Sequence, residues 1–299
     1  MNKTFIVIKK IKILFVVNPI SGNGKQKKIG LVIQRYLNKD KFSFALKFTK
    51  HHKHAEEITH KHRNDFDIII AVGGDGSVNQ IGTSLINSPT IFGVIPAGSG
   101  NGLARHLNIP LNFKKAIDVI NSYKHPMKID VAKINEQYFL STAGTGFDAH
   151  VAWKFSTAAS RGFLTYAKIV LHELFKYKIK KYKLEINDQM VEIHGFLVTI
   201  ANSNQYGNNA FVSPKSELDD GFLRLIIIKP FPFYYIPLLI FQLFNKSLLK
   251  SKFVDHYIIK KMIMISPSQQ VQLDGESIIM RRELKIEIIP NCLNIIGNI

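Results

Sequence analysis

Five consecutive apolar residues, Ile68 to Val72, run unbroken from Asp67 into a cluster of glycines. A run without polar alternation reads as a strand buried on both faces of a parallel sheet. The period then changes. Val78, Ile81 and Leu85 fall at i, i+3 and i+7, one face of a helix. Between strand and helix lie Gly73, Gly74, Asp75, Gly76 and Ser77. The same succession occurs twice more. Ile13 to Val17 enters Asn18-Pro19-Ile20-Ser21-Gly22-Asn23-Gly24-Lys25, and Ile29, Val32, Ile33, Tyr36 and Leu37 then follow at helical spacing. Ile91 to Ile95 enters Pro96-Ala97-Gly98-Ser99-Gly100-Asn101-Gly102, followed by Leu103, Ala104 and Leu107 on a short helix. Phe42 to Phe48 alternates and is rich in aromatics, so it reads as a further strand, closed by Thr49 and Lys50.

Around Ile129 the pattern shifts. Short strands are expected at 129–134, 138–141, 182–186, 190–194, 196–201, 223–228, 257–265 and 271–273, interrupted by one helix over 162–176. The chain therefore divides into an α/β unit over 1–128, joined by the chain end from about 285 to 299, and a mainly β unit over 129–284.

The chain has 299 residues, 46% of them hydrophobic, enough for two domains with a substantial core. Its net charge is +18, which calls for an anionic partner. No zinc-finger spacing, basic-zipper heptad or RNA-binding aromatic signature accompanies that charge, so nucleic acid is not expected as the partner. The single cysteine, Cys292, leaves no internal disulfide and points to a reducing compartment, the cytoplasm. Met1 to Lys12 alternates lysine with apolar residues and does not read as a signal peptide. The longest apolar stretch, Phe231 to Phe244, is shorter than the roughly 20 residues a spanning helix needs and contains Pro232 and Pro237. It reads as a turn and a core or surface helix.

Strand, glycine loop and helix N-terminus together aim backbone N–H groups at a phosphate. The loop after Val17 lacks the G-x-x-x-x-G-K-[ST] spacing of a P-loop. Asp75 stands out, because a carboxylate in such a loop repels phosphate unless it binds a metal or a proton. Asp274-Gly275 by itself reads as a hairpin turn. His51, His52, His54, His60 and His62 alternate with lysines and read as a solvated helix face, with a metal site the alternative.

Val72 to Asn79 (V-G-G-D-G-S-V-N) and Pro96 to Ala104 (P-A-G-S-G-N-G-L-A) resemble the diacylglycerol kinase catalytic domain family, which includes sphingosine kinases and soluble bacterial lipid kinases. The likeness extends through Asn18 to Lys25, Gly144 to Asp148 (G-T-G-F-D), Leu218 to Leu223 (L-D-D-G-F-L) and Leu273 to Glu276 (L-D-G-E). It implies a three-layer α/β nucleotide-binding domain of the NAD kinase and phosphofructokinase type, a C-terminal β-sandwich, and an active site between them. It also implies transfer of the ATP γ-phosphoryl group to a lipid hydroxyl, diacylglycerol first and a sphingoid base second. By the same resemblance Asn18, Pro19, Ser21, Gly22, Thr49, Gly73, Gly74, Asp75, Gly76, Ser77, Asn79, Gly98, Ser99 and Asn101 line the ATP site. Glu217, Asp220 and Phe222 resemble a structural magnesium site, an oxygen-only donor set. Asp148 is the residue for the lipid head group. Glu276 with Asp274, or else Asp75, is the general base. Lys25 and Arg161 are expected phosphate contacts.

Two positions depart from the family pattern. Ser77 stands where Thr is usual, and Ser-Gly-Asn-Gly over 99–102 replaces Thr-Thr-Asn-Asp, which is closer to the sphingosine kinase branch. A lipid substrate and the net charge imply peripheral, electrostatic docking to a membrane, with any insertion of 231–244 secondary, and a homodimer is a further expectation. The competing readings are a soluble NAD kinase, which shares G-G-D-G, and an inactive lipid-binding protein. The motifs of the second domain weigh against the first, and intact Asp75, Asp220, Asp274 and Glu276 against the second.

Overall fold

The computed structural model describes residues 10–22, 25–158, 163–186 and 188–298. Strands and helices alternate first: β1 (Ile11–Val17), α1 (Ile29–Tyr36), β2 (Phe42–Phe48), α2 (His54–His62), β3 (Ile68–Gly73), α3 (Asp75–Thr83), β4 (Ile91–Pro96), α4 (Gly102–His106) and α5 (Phe113–Ser122). Then come β5 (Met127–Ile134), β6 (Gln137–Phe139), β7 (Thr142–Gly146), α6 (Phe147–Ser156), α7 (Phe163–Leu174), β8 (Lys180–Ile186), β9 (Gln189–Gly195), β10 (Leu197–Ala201) and β11 (Leu223–Ile228). The chain closes with α8 (Ile236–Phe244), β12 (Val254–Ile259), β13 (Lys261–Ile265), β14 (Gln270–Leu273), β15 (Glu276–Ile279) and β16 (Glu283–Ile295).

The first unit is a parallel sheet in the order β2-β1-β3-β4. Every residue of β3 is buried, which is why its sequence shows no alternation. α1 packs with α5 and α2 with α3, so the sheet is the middle of three layers. The chain leaves β1 toward β2 on one side and returns through β3 to β4 on the other. The order therefore reverses between β1 and β3, the place where open α/β sheets bind ligands at their carboxyl ends.

The second unit is a sandwich. One sheet, antiparallel throughout, runs β12-β11-β10-β7-β14-β15. Ala143, Val198, Ile200, Leu225 and Leu273 on its inner face pack against Ile134, Leu184, Met264 and Ile286 of the facing strands β5, β8, β13 and β16. β16 links the units. Its first half pairs with β13, and its end reaches β4, where Ile295 lies opposite Phe92.

Three of these elements depart from the sequence reading, and α8 decides between its two alternatives. The segment 257–265 is two strands, because the chain turns a corner at Lys260: β12 pairs with β11 in one sheet and β13 with β16 in the other. β7, T-A-G-T-G, has small residues and no apolar run, yet all five are buried. α6 buries Phe147, Asp148, Ala149, Val151 and Ala152, too many sides for one apolar stripe to show. α8 buries only Leu239 and leaves Leu238, Ile240, Phe241 and Phe244 exposed, so it is a surface helix.

Candidate active site

Four strands end in a row. Thr49 N donates to Val17 O at 2.9 Å, Asn18 N to Val72 O at 2.9 Å, and Ala97 N to Gly73 O at 2.8 Å. The loops that leave β1, β3 and β4 are thereby side by side. Asn18 Nδ2 donates to Ser77 Oγ at 3.1 Å across the reversal point. Gly74 and Gly98 approach backbone to backbone, so closely that a Cβ on Gly98 would meet the Gly74 Cα. Gly22 has φ +53° and its Cβ position is taken by Ala97 O. These are close approaches that only glycine permits. Pro19 and Ser21 are partly buried in the first loop, where Ser21 Oγ donates to Asn18 O at 3.1 Å. Ser99 is exposed at the mouth. Asn101 folds its side chain back, with Oδ1 accepting Gly98 N at 2.9 Å. The N-terminus of α3 opens onto this groove and carries the positive end of its dipole there.

The carboxylates have distinct partners. Asp75 spans to the next loop: Oδ1 accepts Gly102 N at 2.7 Å and Oδ2 accepts Asn101 N at 2.9 Å. Burial pushes its pKa up to about 6 against the pull of those two bonds, with Asp274 adding charge repulsion. Asp274 takes four donors. Oδ1 accepts Ser141 N at 2.8 Å and Thr142 N at 3.0 Å, while Oδ2 accepts Leu140 N and Asn79 Nδ2, both at 2.8 Å. It thereby joins α3 to the sandwich, and burial raises its pKa too. Asp274 and Gly275 have φ of 48° and 85°, both positive, as a two-residue hairpin between β14 and β15 requires. The hairpin sets Glu276, exposed, directly against Gly76 in the first turn of α3.

Asp148 lies on the outer face of the second sheet, 8% exposed. Its Oδ2 accepts Thr199 Oγ1 at 3.0 Å, Tyr206 Oη at 3.4 Å and Gln272 Nε2 at 3.5 Å. Burial raises its pKa to about 7. The spacing of G-T-G-F-D has a steric cause: the Asp148 carboxylate fills the space where a Cβ on Gly144 would stand.

One stretch that the sequence reading passed over closes the cleft. Residues 202–209, N-S-N-Q-Y-G-N-N, reach from the sandwich to the third glycine loop. Asn208 N donates to Gly100 O at 3.1 Å, Asn204 N to His106 Nδ1 at 3.0 Å, and Arg105 Nη1 to Asn209 Oδ1 at 3.1 Å. A cluster of asparagines around a glycine is a turn signal that could have marked it.

Other expected residues lie apart. The hydrogen bonds of the 217–222 loop go to Asp130 and Arg224, not to the glycine loops. His51, His54 and Glu57 bring ligand atoms within 4.8 Å of one another on the α2 face. His54 Nδ1 accepts Lys50 N at 2.9 Å and the His51 and His54 rings stack at 4.6 Å on this solvent-facing surface. Arg161 lies outside the described residues, as does the side chain of Lys25.

Comparison with known proteins matches residues 12–134 to the diacylglycerol kinase catalytic domain. Residues 141–297 match the YegS C-terminal NAD kinase beta sandwich-like domain. The diacylglycerol kinase of Bacillus subtilis (strain 168) is 34% identical over 238 residues, which is 74% of each chain. That of Staphylococcus haemolyticus is 29% identical over 171 residues, 56% of this chain and 52% of the relative. Among solved structures, a diacylglycerol kinase from Bacillus anthracis str. Sterne superposes with a TM-score of 0.72 at 22% identity, over 97% of this chain and 98% of that one. A second structure from that organism gives 0.77 at 24% over the same shares, a likeness of fold.

Proposed function

The chain belongs to the diacylglycerol kinase catalytic-domain family, and from that premise we propose that it transfers the γ-phosphoryl group of ATP to the hydroxyl of diacylglycerol. The observation that carries this reading is the placement of Glu276 over Gly76, where the three glycine loops and the N-terminus of α3 meet. A phosphoryl acceptor in this cleft would have a carboxylate on one side and backbone N–H donors on the other.

Glu276 is the general base in this proposal. Asp75 and Asp274 brace the loops instead, their oxygens accepting two and four hydrogen bonds from neighbouring segments. They are positioning residues: Asp75 holds the third loop onto the second, and Asp274 holds the hairpin that aims Glu276. ATP arrives with Mg2+ as its counter-ion, which offsets phosphate charge. The lipid hydroxyl oxygen attacks the γ-phosphorus as Glu276 takes its proton. The bond from that phosphorus to the β,γ-bridging oxygen breaks, and ADP leaves.

One observation favours a sphingoid base as the second reading. A Cβ at Gly102 would stand 3.2 Å from Tyr206 O, so the absence of the usual acid there lets the backbone of Gln205 and Tyr206 close on the loop, the departure that this chain shares with the sphingosine kinase branch. The test is transfer from γ-labelled ATP to diacylglycerol and, separately, to sphingosine in mixed micelles, for the native protein and Glu276→Gln. Labelled phosphatidic acid, lost in the variant, supports the proposal. Label only on sphingosine selects the second reading, and label on neither lipid overturns both.

No helix among the described residues is long and apolar enough to cross a membrane. In the proposal the protein works in the cytoplasm and docks peripherally. The exposed Phe175, just after α7, packs against the exposed Phe233, just before α8, at 5.6 Å between ring centres, and α8 itself exposes Leu238, Ile240, Phe241 and Phe244. Lys176, Lys178, Lys246 and Lys250 are exposed beside these residues in the chain. An apolar patch with a basic rim fits an anionic bilayer.

A further inference from the structure

The loop of residues 217–222 matches a family pattern for a divalent cation, yet its carboxylate is already paired. Asp220 Oδ2 lies 2.5 Å from Nη2 of Arg224, and Oδ1 accepts Phe222 N at 2.9 Å. The Arg224 side chain is 13% exposed and that of Asp220 20%, so the pair is partly buried and shielded from most of the solvent. Arg224 belongs to β11, whose register against β10 and β12 fixes its backbone: it stands between Ala201 and Ile258. A second cation is at hand, with Lys260 Nζ 4.9 Å from the centre of the Phe222 ring and the Arg224 guanidinium 5.9 Å from it. A divalent ion ligated by Asp220 would therefore have to share or displace a guanidinium that never loses its charge. A hard cation also needs about six oxygen ligands, and the Asp220 carboxylate already accepts Phe222 N and the Arg224 guanidinium. Asp220, Glu217 and Phe222 as they stand do not fit a resident magnesium ion.

We propose that Arg224 is the resident cation of this loop, a built-in guanidinium that does the structural task of a divalent metal. The task is visible in what the loop holds. Gly221 N donates to Asp130 Oδ2 at 2.7 Å, and Asp130 N donates to Leu218 O at 2.5 Å. The other oxygen of Asp130 accepts Asn291 N at 2.7 Å, at the β16 irregularity between the two units. Asn202 Nδ2 donates both to Asp130 O at 3.0 Å and to Leu140 O at 2.9 Å. Leu140 N in turn donates to Asp274. Hydrogen bonds linked by short stretches of backbone thus run from the Arg224–Asp220 pair to the hairpin that carries Glu276. This inference does not depend on which alcohol is phosphorylated, or on phosphorylation at all.

The test is thermal unfolding of the purified protein without nucleotide, because ATP brings its own magnesium and would confound activity. Treatment with EDTA, and then addition of excess Mg2+ or Ca2+, should leave the native melting temperature unchanged. Arg224→Gln removes the charge at similar length and should lower it by about 5 °C, since the partly buried Asp220 carboxylate then lacks its charged partner. Arg224→Lys keeps the charge and should recover part of the loss. A gain in melting temperature of Arg224→Gln on adding Mg2+ would further support the exchange of one cation for another. A fall in native melting temperature with EDTA, reversed by Mg2+ or Ca2+, would overturn the proposal, as would an Arg224→Gln protein as stable as the native one. If Arg224→Gln does not fold, the EDTA and metal titration of the native protein still decides between the two cations.

Discussion

Glu276 sits against Gly76 so closely that the Oε1 of the glutamate takes the space a Cβ on the glycine would fill. The third glycine of the G-G-D-G loop is thus a seat for a carboxylate from a residue two hundred positions later. Gly76→Ala should push Glu276 off the N-terminus of α3 while leaving a helix position that alanine favours. Turnover should fall by about the 10²–10⁴-fold that general-base catalysis contributes, with the melting temperature nearly unchanged, and Glu276→Gln should match it. A Gly76→Ala enzyme with native turnover would show that Glu276 does not act from this position.

Asp75 has a different consequence. Its two hydrogen bonds tie Asn101 N and Gly102 N to the second loop, so Asp75→Ala leaves partly buried donors unpaired. The expected cost is about 1–3 kcal/mol for each donor left unpaired, together with a higher KM for ATP as the third loop loosens. Asp75→Asn keeps one acceptor and should lose less. The check is chemical denaturation beside ATP kinetics. An Asp75→Ala protein with native stability would remove the brace from the account.

The sequence made these relations only half visible. The strand–glycine–helix units were legible because each apolar run, each glycine cluster and each helical period is local. The hairpin at Asp274-Gly275 was legible as well, since Asp-Gly supplies the positive φ values it needs. The duties of the acids were not. Asp75 and Asp274 are satisfied by backbone N–H groups about 26 and 132–134 residues away, and no local pattern encodes a partner at that range. β7 and α6 were hidden for the opposite reason: both are buried on more than one side, so neither carries the alternation or stripe that marks a half-exposed element. Arg224 reads as one more surface cation until the strand register places it beside Asp220.

Asp148 should make stability depend on pH. Its pKa is raised from 3.8 to about 7 by burial. The folded protein therefore keeps a proton that the unfolded chain has already lost. The stability linked to this group is complete below about pH 4 and is lost as pH rises through about 7. The difference corresponds to about 4 kcal/mol at most. Between pH 5 and pH 8 the native melting temperature should fall more than that of Asp148→Asn, which carries no titrating proton. Equal slopes for the two proteins would show that Asp148 is ionised throughout.

Membrane docking should have two separable parts. Exposed lysines contribute about 1 kcal/mol each near an anionic leaflet, and this part decays as the Debye length falls from about 10 Å at 0.1 M salt to about 3 Å at 1 M. The apolar part does not depend on salt in that way. Phe241 is 62% exposed and Phe244 47%, on a helix that buries only Leu239. Removing two half-exposed phenyl rings from water contributes about 3 kcal/mol, or roughly 100-fold in affinity. Sedimentation with vesicles containing anionic lipid should therefore fall sharply but not to zero between 0.1 M and 1 M salt. Phe241→Ser with Phe244→Ser should abolish the salt-resistant remainder and spare the salt-sensitive part. Both side chains point to solvent, so the fold and the activity toward a short-chain, water-soluble diacylglycerol should be kept. Complete release of the native protein by salt would leave electrostatics as the whole of the attachment. Retention of salt-resistant binding by the double variant would move the insertion site away from α8.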